Sequence, residues 1–504
     1  MKRAQHLSPL PRRQTEADKL PPYRSRGNSP ELDGNFLRSL GKNDRVAVDG
    51  RRAVCAGEDP MDFRTFLHHL EAHGQLARIT TPVDLKHELA NVAVNMERRG
   101  MPAPLFTCPQ DASMPVVAGV LGSHQRIALA LGCAPHEVTD RVGAALEKAV
   151  PPIEVTNPPC QEHVAVGEEA SLDHLPIPTH GAEDGGPFIT GGVVFSRHPP
   201  TGRQNVSYHR FQIKGRTKTG IQINQWRHLN DTLRAAEAEG KPVPIAIAIG
   251  ADPVLHIGAG IRSDMDEAHI AGALAGEPIA MARCVTSDLR VPACSEIVVE
   301  GEIVPGVREA EGPMAEFTGH YSSVWEEPVV RVTAVTHRRD PIFQTIVPAS
   351  HEHINLGNVL PREPILKRMV RYVSKNVTQV HIPPVGCGFT AYIGLDKRHP
   401  GEPRNVALAA LTTYVNIKIV IVFDPDVDLY DPNDVLWALS TRVDPVTDIF
   451  TIPQAQGHEM DPTSDRHGVQ NKMVIDATLS AEKRALYKRC GYPPLDLGKY
   501  LAGC

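Results

Sequence analysis

Asn205, His228 and Glu267 stand far apart in the chain and offer an amide oxygen, an imidazole and a carboxylate. That mixed oxygen and nitrogen set suits Mn2+ or Mg2+ better than a structural zinc. A second group is suited to acid–base work. The run Glu311-Gly312-Pro313-Met314-Ala315-Glu316-Phe317 sets two carboxylates among glycine, proline and apolar residues. Desolvation in such surroundings raises a carboxyl's proton affinity toward the working range of a general acid. Arg210, on a strand-like stretch, is a candidate to hold a carboxylate through charge-assisted hydrogen bonds. Each residue taken singly also has a structural explanation. Asn205 follows a Pro-Thr-Gly turn, His228 suits a surface strand end, and Glu267 suits the first turn of a helix. The acids suit an exposed loop and Arg210 a structural ion pair. Residue types and spacing leave these alternatives open.

The elements that must position these residues are readable in outline. The 504 residues suffice for two or three domains. A net charge of −6 and an aromatic content of 5% give neither a basic face nor stacking platforms, so no nucleic-acid partner is expected. No apolar run reaches the length of a membrane span, so no membrane partner is expected and the cytoplasm is the expected location. Nine scattered cysteines without a C-x-x-C pair argue against a zinc ribbon and suit reduced thiols. Residues 1–60 are rich in Arg, Pro, Ser and Gly and poor in apolar residues. They read as a disordered extension, or as sequence upstream of a start at Met61. Residues 61–150 read as a small α+β unit with helices near 86–100 and 136–149. Residues 151–345 carry short β-like runs, such as 191–195, 211–214, 245–249, 296–300 and 329–333, with helices near 229–239 and 266–275; a barrel-like domain is expected. Residues 346–504 alternate helices near 363–374 and 402–413 with strands at 377–382, 389–395 and the wholly apolar 418–423. That pattern predicts an α/β sheet covered on both faces.

Several longer motifs resemble the UbiD family of decarboxylases. They are Asp184-Gly185-Gly186-Pro187-Phe188-Ile189-Thr190, Asn205-Val206-Ser207-Tyr208-His209-Arg210, the run Asp266 to Pro278, Thr286 to Ala293, Glu300-Gly301-Glu302-Ile303, Glu311 to Gly319, and Asp434 to Arg442. They occur in the family's order between about 61 and 480. The resemblance implies an α+β and α/β multidomain fold with a central split β-barrel that binds flavin, and a reversible, non-oxidative decarboxylase using prenylated FMN. It implies Mn2+ (or Mg2+) on Asn205, His228 and Glu267, with K+ near 257–267. Arg210, Glu311 and Glu316 match the family's catalytic network. Thr190, Ser207, Tyr208, His209, Arg210, Gln225 and Lys397 match cofactor-contacting positions. Implied partners are an aromatic, heteroaromatic or α,β-unsaturated carboxylic acid, a flavin prenyltransferase as cofactor supplier, and a second copy of the chain in a homodimer or homohexamer. The segment 350–362 and part of 385–394 are expected near the substrate, with His351, His353 or Arg362 as binders of a polar substituent or second carboxylate and Phe389 or Tyr392 as ring contacts. Arg227, Met314-Ala315 and His269 depart from the usual pattern.

Two other readings compete. A flavin-binding split-barrel oxidoreductase would need a nicotinamide site, and no G-x-G-x-x-G follows a strand. A non-catalytic scaffold retaining the fold would have no need of Arg210, Glu311 and Glu316.

Overall fold

A computed structural model describes residues 62–501 apart from 199, 200, 226, 262, 264, 494 and 497. The extension expected over 1–60 and the start at Met61 lie outside the described residues. Asp62 caps the helix Phe63–Ala72 by accepting from Thr65 N at 2.9 Å, and Phe63, Phe66, Leu67 and Leu70 form its buried stripe. Strands β1 (Leu76–Ile79) and β2 (Ala103–Phe106) pair in parallel, and β2 runs antiparallel to β3 (Val116–Ala118). Helices Glu88–Arg98, His124–Leu131 and Val138–Ala145 belong to the same segment.

Two short strands follow, β4 (Ile153–Glu154) and β5 (His163–Val166). The largest sheet is then built from β6 (Phe188–Ile189), β7 (Gly192–Arg197), β8 (Gln204–Tyr208), β9 (Phe211–Gly215), β10 (Lys218–Ile221) and β11 (Val243–Ile249). After β12 (Ala280–Arg283) and β13 (Arg290–Pro292), which form a small sheet with β4, it is completed by β14 (Ile297–Glu311) and β15 (Trp325–His337). Its order is β6-β9-β10-β15-β14-β11-β7-β8, with β5 added on β15. Among the described residues no pairing joins β6 to β8, so the sheet is open rather than a closed barrel. The wholly apolar reading of β11 has a simple cause. Ile245, Ile247 and Ile249 enter one core, while Ala246 and Ala248 on the opposite face enter another.

Strand β16 (Phe343–Thr345) pairs in parallel with β3, so the first sheet is closed by residues far along the chain. The last part forms a five-stranded sheet from β17 (Val377–His381), β18 (Thr390–Leu395), β19 (Ile419–Phe423), β20 (Ile449–Gln456) and β21 (Val469–Ala477), in the order β17-β18-β19-β21-β20. Helices Glu363–Val373 and Glu402–Thr413 bury Leu366, Val370, Val406 and Ala410 against it. Among the described residues no helix is long and apolar enough to cross a membrane. Six of the described cysteines are free, whereas Cys294 is disulfide-bonded, a correction to the expectation of reduced thiols throughout.

Candidate active site

β8 is an edge strand, and an edge leaves outward N–H groups without a ladder partner. The N–H of Val206 is taken by Glu267, whose Oε2 lies 3.1 Å away. That bond fixes the first residue of the helix Glu267–Ala275 beside the strand. Asn205 and Ser207 flank Val206 on one face of the strand, with Asn205 Nδ2 donating to Ser207 Oγ at 3.2 Å. Asn205 Oδ1 lies 3.2 Å from Nδ1 of His228, the first residue of the helix His228–Ala238. Asn205, Ser207, His228 and Glu267 therefore line one small cavity of about 40 Å3. Two helix N-termini meet there, and helix N-termini attract anions. Glu267 is almost wholly buried, and burial pushes its pKa up to about 7. A buried carboxyl short of positive charge, an amide oxygen and an imidazole make a donor set that fits a hard divalent cation. Among the described residues no cluster of three or more His, Cys, Asp and Glu is placed for a metal, and this set holds only two of those types.

A second cavity of about 270 Å3 adjoins the first through shared wall residues Arg227, Ala259 and Gly260. Arg210 stands in its wall and is gripped on both sides. Its Nε and one terminal nitrogen donate to the two oxygens of Glu311 at 2.9 and 2.8 Å, and its other terminal nitrogen donates to Glu316. Side-chain exposures are 9% for Arg210, 0% for Glu311 and 13% for Glu316, so only Glu316 of the two acids faces the cavity. Burial raises the proton affinity of Glu316; the Arg210 charge opposes this and the Glu311 charge adds to it. Glu311 ends β14, and the following turn carries Glu316. Asp184 and Gly185 clamp that turn: Ala315 N donates to Asp184 Oδ1 at 3.0 Å, and Gly185 N donates to Pro313 O at 2.8 Å. A Cβ on Gly185 would sit 2.3 Å from Gly312 O, so this contact requires glycine.

The remaining expected residues divide. Thr190, Tyr208 and His209 line the large cavity. Thr190 Oγ1 lies 3.0 Å from Thr345 Oγ1, and the Tyr208 hydroxyl is 2.6 Å from His256 Nδ1. Gln225 is exposed and lines neither cavity; its carbonyl accepts from Asn230 Nδ2 at 3.1 Å. Lys397 also lines neither, and its Nζ donates to Thr478 O at 3.4 Å. From the segment 350–362, His353 and Arg362 reach the large cavity, while His351 uses its N–H on Glu97. Phe317 lines the cavity beside Tyr208; Phe389 packs on Phe317 with ring centroids 5.7 Å apart, and Tyr392 packs on Phe423. Sequence reasoning missed Gln222, Asn224, Asn416, His458 and Met460 as wall residues. They lie on three loops, Gln222 with Asn224, Asn416, and His458 with Met460, and carry no local pattern. Arg227 had a signal, because it departs from the family pattern immediately before His228.

Comparisons with known proteins bear on the family and the fold. Profiles of the 3-octaprenyl-4-hydroxybenzoate carboxy-lyase N-terminal, Rift-related and C-terminal domains match residues 67–146, 153–351 and 356–477. Anhydromevalonate phosphate decarboxylase of Methanothermobacter thermautotrophicus is 37% identical over 380 residues, covering 74% of this chain and 88% of that protein. The chain belongs to the UbiD family. It is a carboxy-lyase of that class, and its mixed α/β multidomain fold is that of UbiD-class structures. HmfF from Pelotomaculum thermopropionicum, in complex with FMN, superposes with a TM-score of 0.83 at 38% identity, covering 87% of this chain and all of that one. An evolved dimeric form of HmfF in complex with prFMN gives 0.80 at 36%, covering 88% and 100%. Apo 3,4-dihydroxybenzoic acid decarboxylase (AroY) from Klebsiella pneumoniae gives 0.82 at 31%, covering 88% and 99%.

Proposed function

We propose that this decarboxylase uses prenylated FMN to remove CO2 reversibly from an aromatic, heteroaromatic or α,β-unsaturated acid that carries a second anionic or strongly polar group. The observation that carries the reading is the doubly gripped Arg210 in the wall of a cavity that opens beside the Asn205, His228 and Glu267 pocket. In this reading those three residues hold Mn2+ or Mg2+, which grips the flavin phosphate. K+ lies alongside, near the carbonyls of 257–267. Thr190, Ser207, Tyr208 and His209 contact the flavin. Gln225 and Lys397, which line neither cavity, would reach it only after a rearrangement. A homodimer or homohexamer and a flavin prenyltransferase as supplier complete the picture, and a split-barrel relationship of the central sheet belongs to the same reading.

Prenylated FMN, when bound, supplies the electron sink that lets CO2 leave. The chain's own residues do the rest. Arg210, fixed by the fully buried Glu311, orients the substrate carboxylate by charge-assisted hydrogen bonds. Glu316, whose proton affinity burial raises, delivers the proton that replaces CO2 at carbon, and removes it in the reverse direction. Phe317, Ile346, Leu356 and Met460 supply apolar wall around the substrate. His353 presents a donor. Its Nδ1 accepts from Ala349 N at 3.2 Å, so the proton of the neutral ring sits on Nε2. His353 and Arg362 are the groups read here as contacts for the second polar group.

Protein co-produced with a flavin prenyltransferase tests the reading. It should show prenylated-flavin absorbance and release CO2 from a set of unsaturated or aromatic acids, with dianionic members turned over best. NADH oxidation without CO2 release would favour an oxidoreductase, and neither bound flavin nor turnover a scaffold. Replacing Arg362 with Met should raise KM for dianionic acids more than for monoanionic ones.

A further inference from the structure

Among the described residues, no backbone pairing joins the strand that follows Arg210 to the strand that carries its acids. Arg210 leads into β9, whereas Glu311 ends β14, and β10 and β15 stand between those strands in the sheet. The Glu311 side chain crosses the gap over Gly220 of β10, where a Cβ would come within 3.3 Å of its Cγ. The turn that carries Glu316 is held largely by side chains from elsewhere. The N–H groups of Gly312, Met314 and Ala315 are taken by Gln212 Oε1, Ser322 Oγ and Asp184 Oδ1 at 3.0, 3.2 and 3.0 Å, and that of Glu316 by His320 O at 2.8 Å.

Gln212 is the second residue of β9, is 3% exposed and does not line the large cavity. Both ends of its amide are used. Oε1 accepts from Gly312, and Nε2 donates to Gly185 O at 2.8 Å. These partners permit a single orientation of the amide. Gly185 N in turn donates to Pro313 O at 2.8 Å, so Gln212, Gly312-Pro313 and Gly185 close a ring. One side of the ring is the strand that follows Arg210, and the other is the residue that follows Glu311. Ser322 adds a direct tie. Its Oγ accepts from Met314 N and, at 3.1 Å, from the Arg210 terminal nitrogen that also reaches Glu311.

Resting on the reading of Glu316 as proton donor, we propose that Gln212 is a positioning residue for the proton-transfer step. Its amide transmits the place of β9 to the turn and so fixes Glu316 relative to the carboxylate held by Arg210, with Ser322 in support. A donor misplaced by about 1 Å can cost as much as 10²-fold in rate. Arg210 keeps its bonds to Glu311 when the turn moves, so substrate capture should outlast proton delivery.

The test is Gln212→Met, which keeps the volume and loses both bonds. In the ligand-free chain, hydrogen exchange followed by mass spectrometry should be faster over 312–316 than in the wild type. In holoenzyme normalised to bound flavin, kcat for CO2 release should fall about tenfold, with KM and FMN affinity retained. Gln212→Glu separates positioning from packing. Its carboxyl makes both bonds only when protonated, and burial favours that form, so its kcat should exceed that of Gln212→Met at about pH 5 and lose the advantage toward about pH 8. Ser322→Ala should show the same loss of kcat in milder form, and Ser322→Thr should restore it. Unchanged exchange or unchanged kcat in Gln212→Met, a raised KM with kcat retained, or a ratio between the Glu and Met variants that is flat with pH overturns the inference. If Gln212→Met does not fold, Ser322→Ala against Ser322→Thr decides by the same exchange and kcat measurements. Normal turnover by Glu316→Gln would instead sink the proton-donor reading on which the inference rests.

Discussion

Glu311 and Glu316 both pair with Arg210, yet replacing each with glutamine should have opposite consequences. Arg210 and Glu311 form a one-to-one pair with two parallel hydrogen bonds, and Glu311 has no exposure. Their charges cancel. Glu316 adds one more negative charge to a largely desolvated site, so burial raises its pKa. A carboxyl whose folded pKa lies above its unfolded one gives stability that is present below the unfolded pKa and lost as pH rises through the folded pKa. Near neutral pH, Glu316→Gln therefore removes a surplus charge and leaves the balanced pair intact; the melting temperature should hold or rise. Glu311→Gln leaves a buried guanidinium with one partially exposed carboxylate. Removing one partner of a buried pair costs on the order of 3 kcal/mol. Activity should separate the variants again. Glu316→Gln keeps a hydrogen-bond acceptor for Arg210 but has no proton to give, so kcat should fall about 10²–10⁴-fold, with FMN and Mn2+ affinity unchanged. The assays are CO2 release by the holoenzyme, incorporation of deuterium into product from D2O, and thermal melts from pH 5 to 8. Wild-type kcat should be highest on the acid side and fall as pH rises through the raised Glu316 pKa. Normal turnover by Glu316→Gln, or equal destabilisation of the two variants, would refute the charge argument.

The small cavity should respond independently: His228→Ala is expected to lose Mn2+ by calorimetry and FMN by fluorescence, while the thermal stability of the ligand-free chain changes little. Gly185→Ala forces a Cβ to within 2.3 Å of Gly312 O, so the Glu311–Glu316 turn must shift; kcat should drop at least tenfold with metal affinity retained. Glu363 is wholly buried and accepts from Thr139 Oγ1 at 2.8 Å, His381 Nδ1 at 2.9 Å and Ile382 N at 2.7 Å. Burial opposes its ionisation, but the His381 hydrogen bond and its other partners prevail and lower its pKa. Its stabilisation is thus present above the ordinary carboxylate range and lost as pH falls through the folded value. Glu363→Gln should cost about 2 kcal/mol near neutral pH and flatten the acid limb of the melting curve.

How far the sequence carries depends on whether a residue's role is written locally. Periodicity gives the helices His228–Ala238, Glu267–Ala275 and Glu402–Thr413 to within a residue or so, because their buried positions repeat at helical spacing. It underestimates β14 and β15, which run 15 and 13 residues; their paired ends Arg308–Ala310 and Trp325–Glu327 are rich in charged residues and read as loop. It gives no hint that β16 would complete a sheet begun by β1–β3, since parallel pairing of Phe343 with Val116 has no local signature. The same holds at the site. The Asp184-Gly185 motif and the Glu311–Gly319 motif are each visible, but their mutual clamp is a property of the fold. Gln225 and Lys397 follow from resemblance alone, and neither lines a cavity, whereas Asn416 and His458 reach the wall from loops without pattern.

The arginines of the large cavity carry the argument about substrate one step further. Arg210 has two carboxylates. Arg362 has none among the described residues. With the Asn416 amide turned so that its oxygen faces the guanidinium, the two terminal nitrogens of Arg362 donate to it at 3.0 and 3.3 Å, and the Tyr414 ring lies 5.7 Å from the guanidinium carbon. Burial, with the Arg227 charge adding, pushes the Arg362 pKa down to about 10. A guanidinium in such a place stays charged but is short of negative charge, and both an amide oxygen and a ring face are weak substitutes for an anion. Arg210, by contrast, is already neutralised and can only share a substrate carboxylate with Glu316. An acid with a single carboxylate satisfies one end of this cavity and leaves the other unmet. An acid with a second anionic group satisfies both, and its reach between the two guanidinium groups becomes the selective feature.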